Sequence, residues 1–373
     1  MVLLGIVSYK IFPARLGGQK GIADFYQFIS KECDVVLATS TDNKEITESP
    51  FKIYNFLFNQ WKGFLNVFYI PKLITTIRKH KVDLILIEHS YFGIFGILLR
   101  SLTGKPFVIH SHNIESHRFL VAKRKWWRLY VRYEIFVHQQ ANFSFFKCHE
   151  DRDWAVEQWH IAPEKCMVVT YGTHIHETPA LEEKKLCREK ILQLHSVKED
   201  ETIFLFNGSL NYTPNIDSLN IIIQYLIPIL QKTDFRFKII ICGDFLSHEL
   251  KDQMALLPQI IFTGYVPDIN LYFKGCDAFL NPSVLATGIK TKLVEALAND
   301  LTIISTRSGA RGIDETITKE KMILVENADW QSFAAEMIKI KIRKGFTTPQ
   351  EFYNSFYWGN IVARAKARLQ ELI

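Results

Sequence analysis

The stretch "LNPSVLATGIKTKLVEALA" (280–298) gathers one glycine, Gly288, two lysines, Lys290 and Lys292, and one carboxylate, Glu295, around the start of a predicted helix. A helix N-terminus presents unpaired N–H groups and a partial positive charge, so it favours phosphate. Gly288 lets the backbone approach closely, and the lysines add full charges. Ile289 and Thr291 lie in the same stretch, and Glu295, one turn in, suits paired ribose hydroxyls. The set fits a nucleoside diphosphate. It also fits a plain glycine loop with solvated lysines, because no Walker-type GxxxxGK[ST] sharpens the choice.

Other strand-to-glycine turns carry the same kind of residue. "FNGSLNYTPN" (206–215) offers Gly208 and Ser209, then Asn215 at a helix start, where it can serve as a cap. Gly243 ends another apolar run, and in "GYVPDI" the backbone at Tyr265 and Val266 can hydrogen-bond a base edge. Near the N-terminus, Gly17 and Gly18 close the loop after the first strand. "IHSHNIESHR" places His110 inside a strand and His112 at its mouth. His110, His112, Glu115 and His117 fall within eight residues, yet their spacing is not the helical HExxH arrangement, so no metal site is expected. The DxD at 151–153 reads as the acidic first turn of a helix.

These turns need elements to hold them. Apolar, β-branched runs recur at 2–8, 34–39, 83–89, 106–112, 142–146 and 166–172, then at 202–209, 237–244, 259–265, 277–283, 301–306 and 322–326. Helix-length segments separate them, and Ile22, Phe25, Tyr26 and Ile29 form one helical stripe. Near-continuous apolar strands alternating with helices predict parallel sheets covered on both faces. Twelve strands exceed one sheet, and 174–201 is polar and strandless. The predicted fold class is therefore α/β: two Rossmann-like doubly wound domains, 1–173 and 201–355, facing a central cleft. A linker and helix span 174–200, and a last helix covers 356–373. Ligands of such sheets bind at the carboxyl ends of the strands.

Composition narrows the function classes. The chain has 373 residues, nearly half apolar, and a net charge of +6. That charge suits an anionic small molecule or membrane surface and is too weak and diffuse for nucleic acid. Six scattered cysteines without a CxxC pair favour reduced thiols in a cytoplasmic protein. The N-terminus reads as a first strand and not as a signal peptide. "VAKRKWWRLYVRYEIF" (121–136) reads as one helix with Arg124, Arg128 and Arg132 on a shared face. It suits the anionic inner face of a membrane, where lipid-linked acceptors reside, and equally a core helix with a solvated basic side.

Together, the early glycine pair, "HNIES", "VVTYGT", "FNGSLNYTPNIDSL", "GCDAFLNP", "TGIKTKLVEALA" and "STRSGARGI" resemble glycosyltransferase family 4. Members are retaining, nucleotide-sugar-dependent transferases of GT-B fold. The resemblance implies that the second domain holds the donor and the first the acceptor, and that the last helix returns to the first domain. It equates Glu295 with the ribose-binding glutamate, 288–292 with the diphosphate loop, His112 with a histidine near the transferred sugar, and Gly17–Gly18 with a pair close to the diphosphate. Two positions depart: Thr287 stands where the family has its first glutamate, and Ser209 where it commonly has arginine. Lys290 or Lys292 then supplies the missing charge.

The resemblance implies transfer from a UDP- or GDP-sugar to a glycan or lipid-linked acceptor in cell-surface polysaccharide or glycoconjugate synthesis, with retention and without metal. His112, Lys290 and Lys292 are the expected catalytic residues. A GT-B sugar-nucleotide epimerase and a non-catalytic nucleotide-sugar-binding partner share the same features. A dinucleotide dehydrogenase is disfavoured, since no GxGxxG follows the first strand.

Overall fold

The computed structural model describes residues 1–14, 16–43, 49–284, 288–342 and 345–373. The chain forms two compact units, Met1–Gly172 with Phe356–Ile373, and Thr173–Ser355. The first holds β1 (Val2–Val7), β2 (Asp34–Ser40), β3 (Lys52–Leu57), β4 (Leu84–Glu88), β5 (Phe107–His110), β6 (Phe143–Phe146) and β7 (Cys166–Val168). They lie in the order β3-β2-β1-β4-β5-β6-β7, each neighbouring pair parallel. Helix Gly17–Ile29 covers one face with Ile22, Phe25, Tyr26 and Ile29, the stripe read from the sequence. Leu73, Ile77, Phe95 and Leu99 cover the other face.

Strand β3 has no counterpart among the apolar runs. Its sequence KIYNFL includes Lys52 and Asn55, and it lies at the sheet edge, half exposed. An edge strand does not need two apolar faces, so the signal used to find the others is missing there.

Helix Trp358–Gln370 belongs to the first unit. Trp358, Ile361, Val362, Ala365 and Leu369 are buried in the core formed with β1 and helix Gly17–Ile29. The fit is close: a Cβ on Gly172 would come within 2.4 Å of the Trp358 ring.

The second unit holds β8 (Thr202–Asn207), β9 (Phe237–Cys242), β10 (Ile260–Gly264), β11 (Ala278–Asn281), β12 (Thr302–Thr306) and β13 (Met322–Val325). Their order is β10-β9-β8-β11-β12-β13, again parallel. The helix within 174–200 is Leu181–His195, and it is part of this unit, not a spacer. It packs on helix Ile269–Gly275, where a Cβ on Gly275 would meet the Cys187 carbonyl oxygen at 2.8 Å.

The segment 121–136 is not one helix. Helix Glu115–Val121 ends, a turn follows, and a second helix runs Trp127–Gln140. Arg124 therefore lies in the turn, while Arg128 and Arg132 are exposed on the second helix. No described helix is long and apolar enough to cross a membrane.

Both sheets reverse strand order, between β1 and β4 and between β8 and β11, and such switch points open a crevice for ligands. Backbone bonds stitch the strand mouths on one side of the second crevice. Gly208 N–H donates to the Cys242 carbonyl (3.1 Å), Leu210 N–H to that of Asp244 (2.8 Å), and Gly243 N–H to that of Gly264 (2.9 Å). Space forces a glycine at 243, since a Cβ there would lie 2.0 Å from the Gly208 carbonyl oxygen. Gly18 is the opposite case, with nothing within 4 Å of its added Cβ. Gly243→Ala is therefore expected to cost about 2 kcal/mol or more by pushing the loops apart. Gly18→Ala should be neutral or stabilise by up to about 1 kcal/mol, through backbone entropy. Denaturant midpoints of the two variants check the contrast.

Candidate functional site

Helix Thr291–Ala298 starts directly after Lys290. Lys292, in its first turn, reaches across the β8/β11 switch point. Its Nζ donates to the Asn215 Oδ1 (3.2 Å) and the Asn207 carbonyl (3.5 Å) and lies 4.7 Å above the Phe206 ring. Among the described residues no carboxylate meets it. Burial, then the charge of Lys290, push its pKa down to about 7. Lys290 is pushed down too, by burial and then by Arg311. Lys290, Lys292 and Arg311 thus concentrate positive charge where the helix dipole is also positive. An anion bound there would meet favourable charge from all of them.

Asn215 is not a helix cap. Helix Thr213–Ile221 begins two residues earlier, behind Tyr212. The Asn215 Nδ2 instead donates back to the Ser209 carbonyl at 3.0 Å, and it occupies the space that a Cβ on Gly208 would need. Asn215 therefore links Gly208, Ser209 and Lys292.

On the other side of the crevice, Gly288 adopts φ +64°, the left-handed region that favours glycine. Ile289 packs beneath Gly312 (φ +88°), where a Cβ would lie 2.9 Å from the Ile289 Cβ. A polar net holds the strand ends: Asn281 Nδ2 donates to Ser305 Oγ (2.8 Å), Thr306 Oγ1 to the Ser283 carbonyl, and Gly309 N–H to Thr306 Oγ1 (3.0 Å). Thr291 and Glu295 are half-buried, one turn apart on the helix. Tyr265 is 70% exposed after β10 and Val266 half-buried, joined to the rest through the Gly264–Gly243 bond. Thr287 lies outside the described residues.

In the first unit, β4 and β5 end in register at Glu88 and His110. Glu88 is fully buried. Its Oε1 pairs with His110 Nδ1 (3.2 Å) and its Oε2 with His112 Nε2 (2.6 Å). Burial alone would raise Glu88, but the two histidines outweigh it and hold the carboxyl well below the usual range. Both imidazoles are pushed down, chiefly by burial, and His112 further by His89 and Lys147. The cluster is thus an ionised Glu88 accepting N–H bonds from two neutral rings. That tautomer leaves the His112 Nδ1 lone pair as an acceptor at the mouth.

His89 stacks on His112 with ring centres 4.3 Å apart, bonds the Tyr9 hydroxyl at 3.1 Å and faces Glu115 at 3.4 Å. These contacts hold it at φ +69°, a conformation costing about 1–3 kcal/mol for a residue with a side chain. Glu134 accepts the Glu115 and Ser116 N–H groups at 2.9 Å each, anchoring the helix that begins at the end of "HNIES", and burial raises its pKa to about 7. Gly17 and Gly18 begin helix Gly17–Ile29 in the same unit.

The sequence cluster of three histidines and a glutamate is split. Glu115 serves His89, and His117 lies edge-on to Trp154 at 4.7 Å. Glu88, His110 and His112 do bring ligand atoms within 4.8 Å of one another. A divalent ion there would need the same oxygens and nitrogens that now pair together, beside the positive charge of Lys147. Glu88, His89, Lys147 and Arg311 were not among the sequence candidates. One signal was present for Glu88, a carboxylate closing the otherwise apolar strand "LILIE".

Two family models match the chain, Glycosyltransferase Family 4 over residues 16–176 and Glycosyl transferases group 1 over 201–341. Among curated proteins none matches. Several solved structures share the fold over the whole chain. HepE of Anabaena in complex with UDP is 17% identical with a TM-score of 0.75, covering 100% of both chains. Sucrose-phosphate synthase of Thermosynechococcus elongatus is 15% identical with a TM-score of 0.76, covering 100% of this chain and 99% of its own. A glycosyltransferase of Rickettsia africae is 14% identical with a TM-score of 0.73, covering 100% and 98%. With two parallel doubly wound sheets and family matches over most of its length, the chain belongs to the family 4 glycosyltransferases of GT-B fold.

Proposed function

We propose that the chain moves a glycosyl group from a UDP-sugar to a hydroxyl of a glycan or lipid-linked acceptor, with retention and without a metal, in surface-polysaccharide or glycoconjugate assembly. The observation that carries this reading is Lys292, a cation at a ligand-binding switch point whose partners are all neutral. HepE, of the same fold, has been solved with UDP and with UDP-glucose, which favours uridine over guanosine.

In this reading the diphosphate lies against the amides after Gly288 and the ammonium groups of Lys290 and Lys292, with Glu295 on the ribose. The bond between the anomeric carbon and the leaving phosphate oxygen breaks, and these fixed charges stabilise the phosphate as it gains charge. The acceptor hydroxyl oxygen attacks the anomeric carbon from the same face and passes its proton to the departing phosphate. His112, held by Glu88, presents its Nδ1 lone pair as an acceptor for a sugar hydroxyl.

Burial and Lys290 hold the Lys292 pKa down to about 7 in the free protein, and a bound diphosphate would raise it. UDP binding should therefore take up protons and weaken by roughly tenfold per pH unit above about 7.5. Lys292→Met should flatten that slope and weaken UDP by roughly tenfold to a hundredfold. Calorimetry across buffers reads both, and pH-independent affinity with a wild-type-like variant refutes the site. Turnover undiminished by a chelator is expected alongside.

The exposed side of 121–136 joins apolar and basic groups. Trp126, Leu129 and Phe136 are exposed and line an open apolar groove of about 550 Å³, with Arg132 at its edge. Lys123, Arg124, Lys125 and Arg128 are exposed beside it. This combination suits an anionic membrane face carrying lipid-linked acceptors. Co-sedimentation with anionic vesicles should fall off when Leu129 and Phe136 become serine. Equal recovery of both proteins in the supernatant discards the membrane role.

A further inference from the structure

We propose that the first unit carries its own phosphate-binding site, formed by Lys147 with His110 and His112, and that it takes a phosphoryl group of the acceptor. This rests on the acceptor-binding reading of that unit and adds the chemical class of the acceptor. Lys147 lies one residue past β6, beside the end of β5, and is only 4% exposed. Its ammonium has no hydrogen-bond partner among the described residues, nor has the buried His110 Nε2. Glu88, the carboxylate whose charge reaches Lys147, has each oxygen bonded to a histidine. Buried polar groups in native proteins are nearly always bonded, so an orphaned ammonium marks a place where something else binds.

The charges fit an anion. With both rings neutral, Glu88 and Lys147 cancel, and two imidazoles remain that can each accept a proton when negative charge arrives. An incoming phosphate would meet His112 first, since its side chain is 11% exposed, and Lys147 follows Phe145, the partner of His110 in the β5–β6 register, by two residues on a flexible four-carbon stem. None of these residues belongs to the Lys290–Lys292–Arg311 cluster of the second unit, and UDP carries no transferred sugar to occupy His112, so UDP and phosphate can be bound and tested separately.

The test uses the full chain saturated with UDP and titrated with inorganic phosphate against chloride of equal ionic strength. The midpoint of thermal unfolding should rise with phosphate by mass action. Lys147→Met should weaken that response by roughly tenfold or more while leaving the UDP response intact, and Lys147→Arg should keep it. Wild-type protein indifferent to phosphate, or a Met variant responding like wild type, overturns the proposal. Should the Met variant not fold, the imidazole C2–H NMR signals of His110 and His112 decide: they must move with phosphate, and unmoved signals overturn it. Glucose 6-phosphate and vesicles containing a polyprenyl phosphate then separate a soluble from a lipid-borne source. A chain that fails to respond to UDP loses the donor reading and leaves the phosphate titration interpretable.

Discussion

Where β8 and β11 part, Lys292 holds a positive charge among two aromatic rings, a side-chain amide and a backbone carbonyl. Much of the second unit's local structure serves to keep that charge in place without neutralising it. Asn215 turns back from its helix to meet the ammonium and to close the Gly208–Ser209 loop. Gly243 has no side chain, so the β8 and β9 mouths can meet, and the net around Asn281, Ser305 and Thr306 fixes the opposite side. A carboxylate in place of Asn215 would pair with the lysine and remove its attraction for phosphate. Neutral acceptors orient the ammonium while leaving its charge available.

The first unit uses the reverse arrangement. There a buried anion, Glu88, is the fixed charge, and neutral imidazoles surround it. The strain at His89 and the capping of the following helix by Glu134 are consequences of packing His89, His112, Tyr9 and Glu115 into one mouth. A preorganised ring nitrogen and a buried ammonium suit recognition of hydroxyls and anions.

Most of the strands were legible in the sequence because a parallel strand covered on both faces is apolar at nearly every position. The one overlooked, β3, sits at an edge and carries Lys52 and Asn55. The basic segment 121–136 misled for a different reason: the four-residue spacing of its arginines persists across a turn that interrupts the helix, so Arg124 lies off the face it was assigned to.

The cluster of Gly288, Lys290, Lys292 and Glu295 was legible too, since these residues are neighbours in the chain and helix geometry alone orders them. The sequence by itself determined the fold class, the family and this local set of groups. Tertiary structure alone decided that Lys292 meets Asn215 across 77 positions, that Glu88 pairs with His112 across 24, and that Lys147 comes to lie beside both histidines. Those encounters depend on strand order and register, which bring distant carboxyl ends side by side. Local periodicity carries no information about which strands become neighbours.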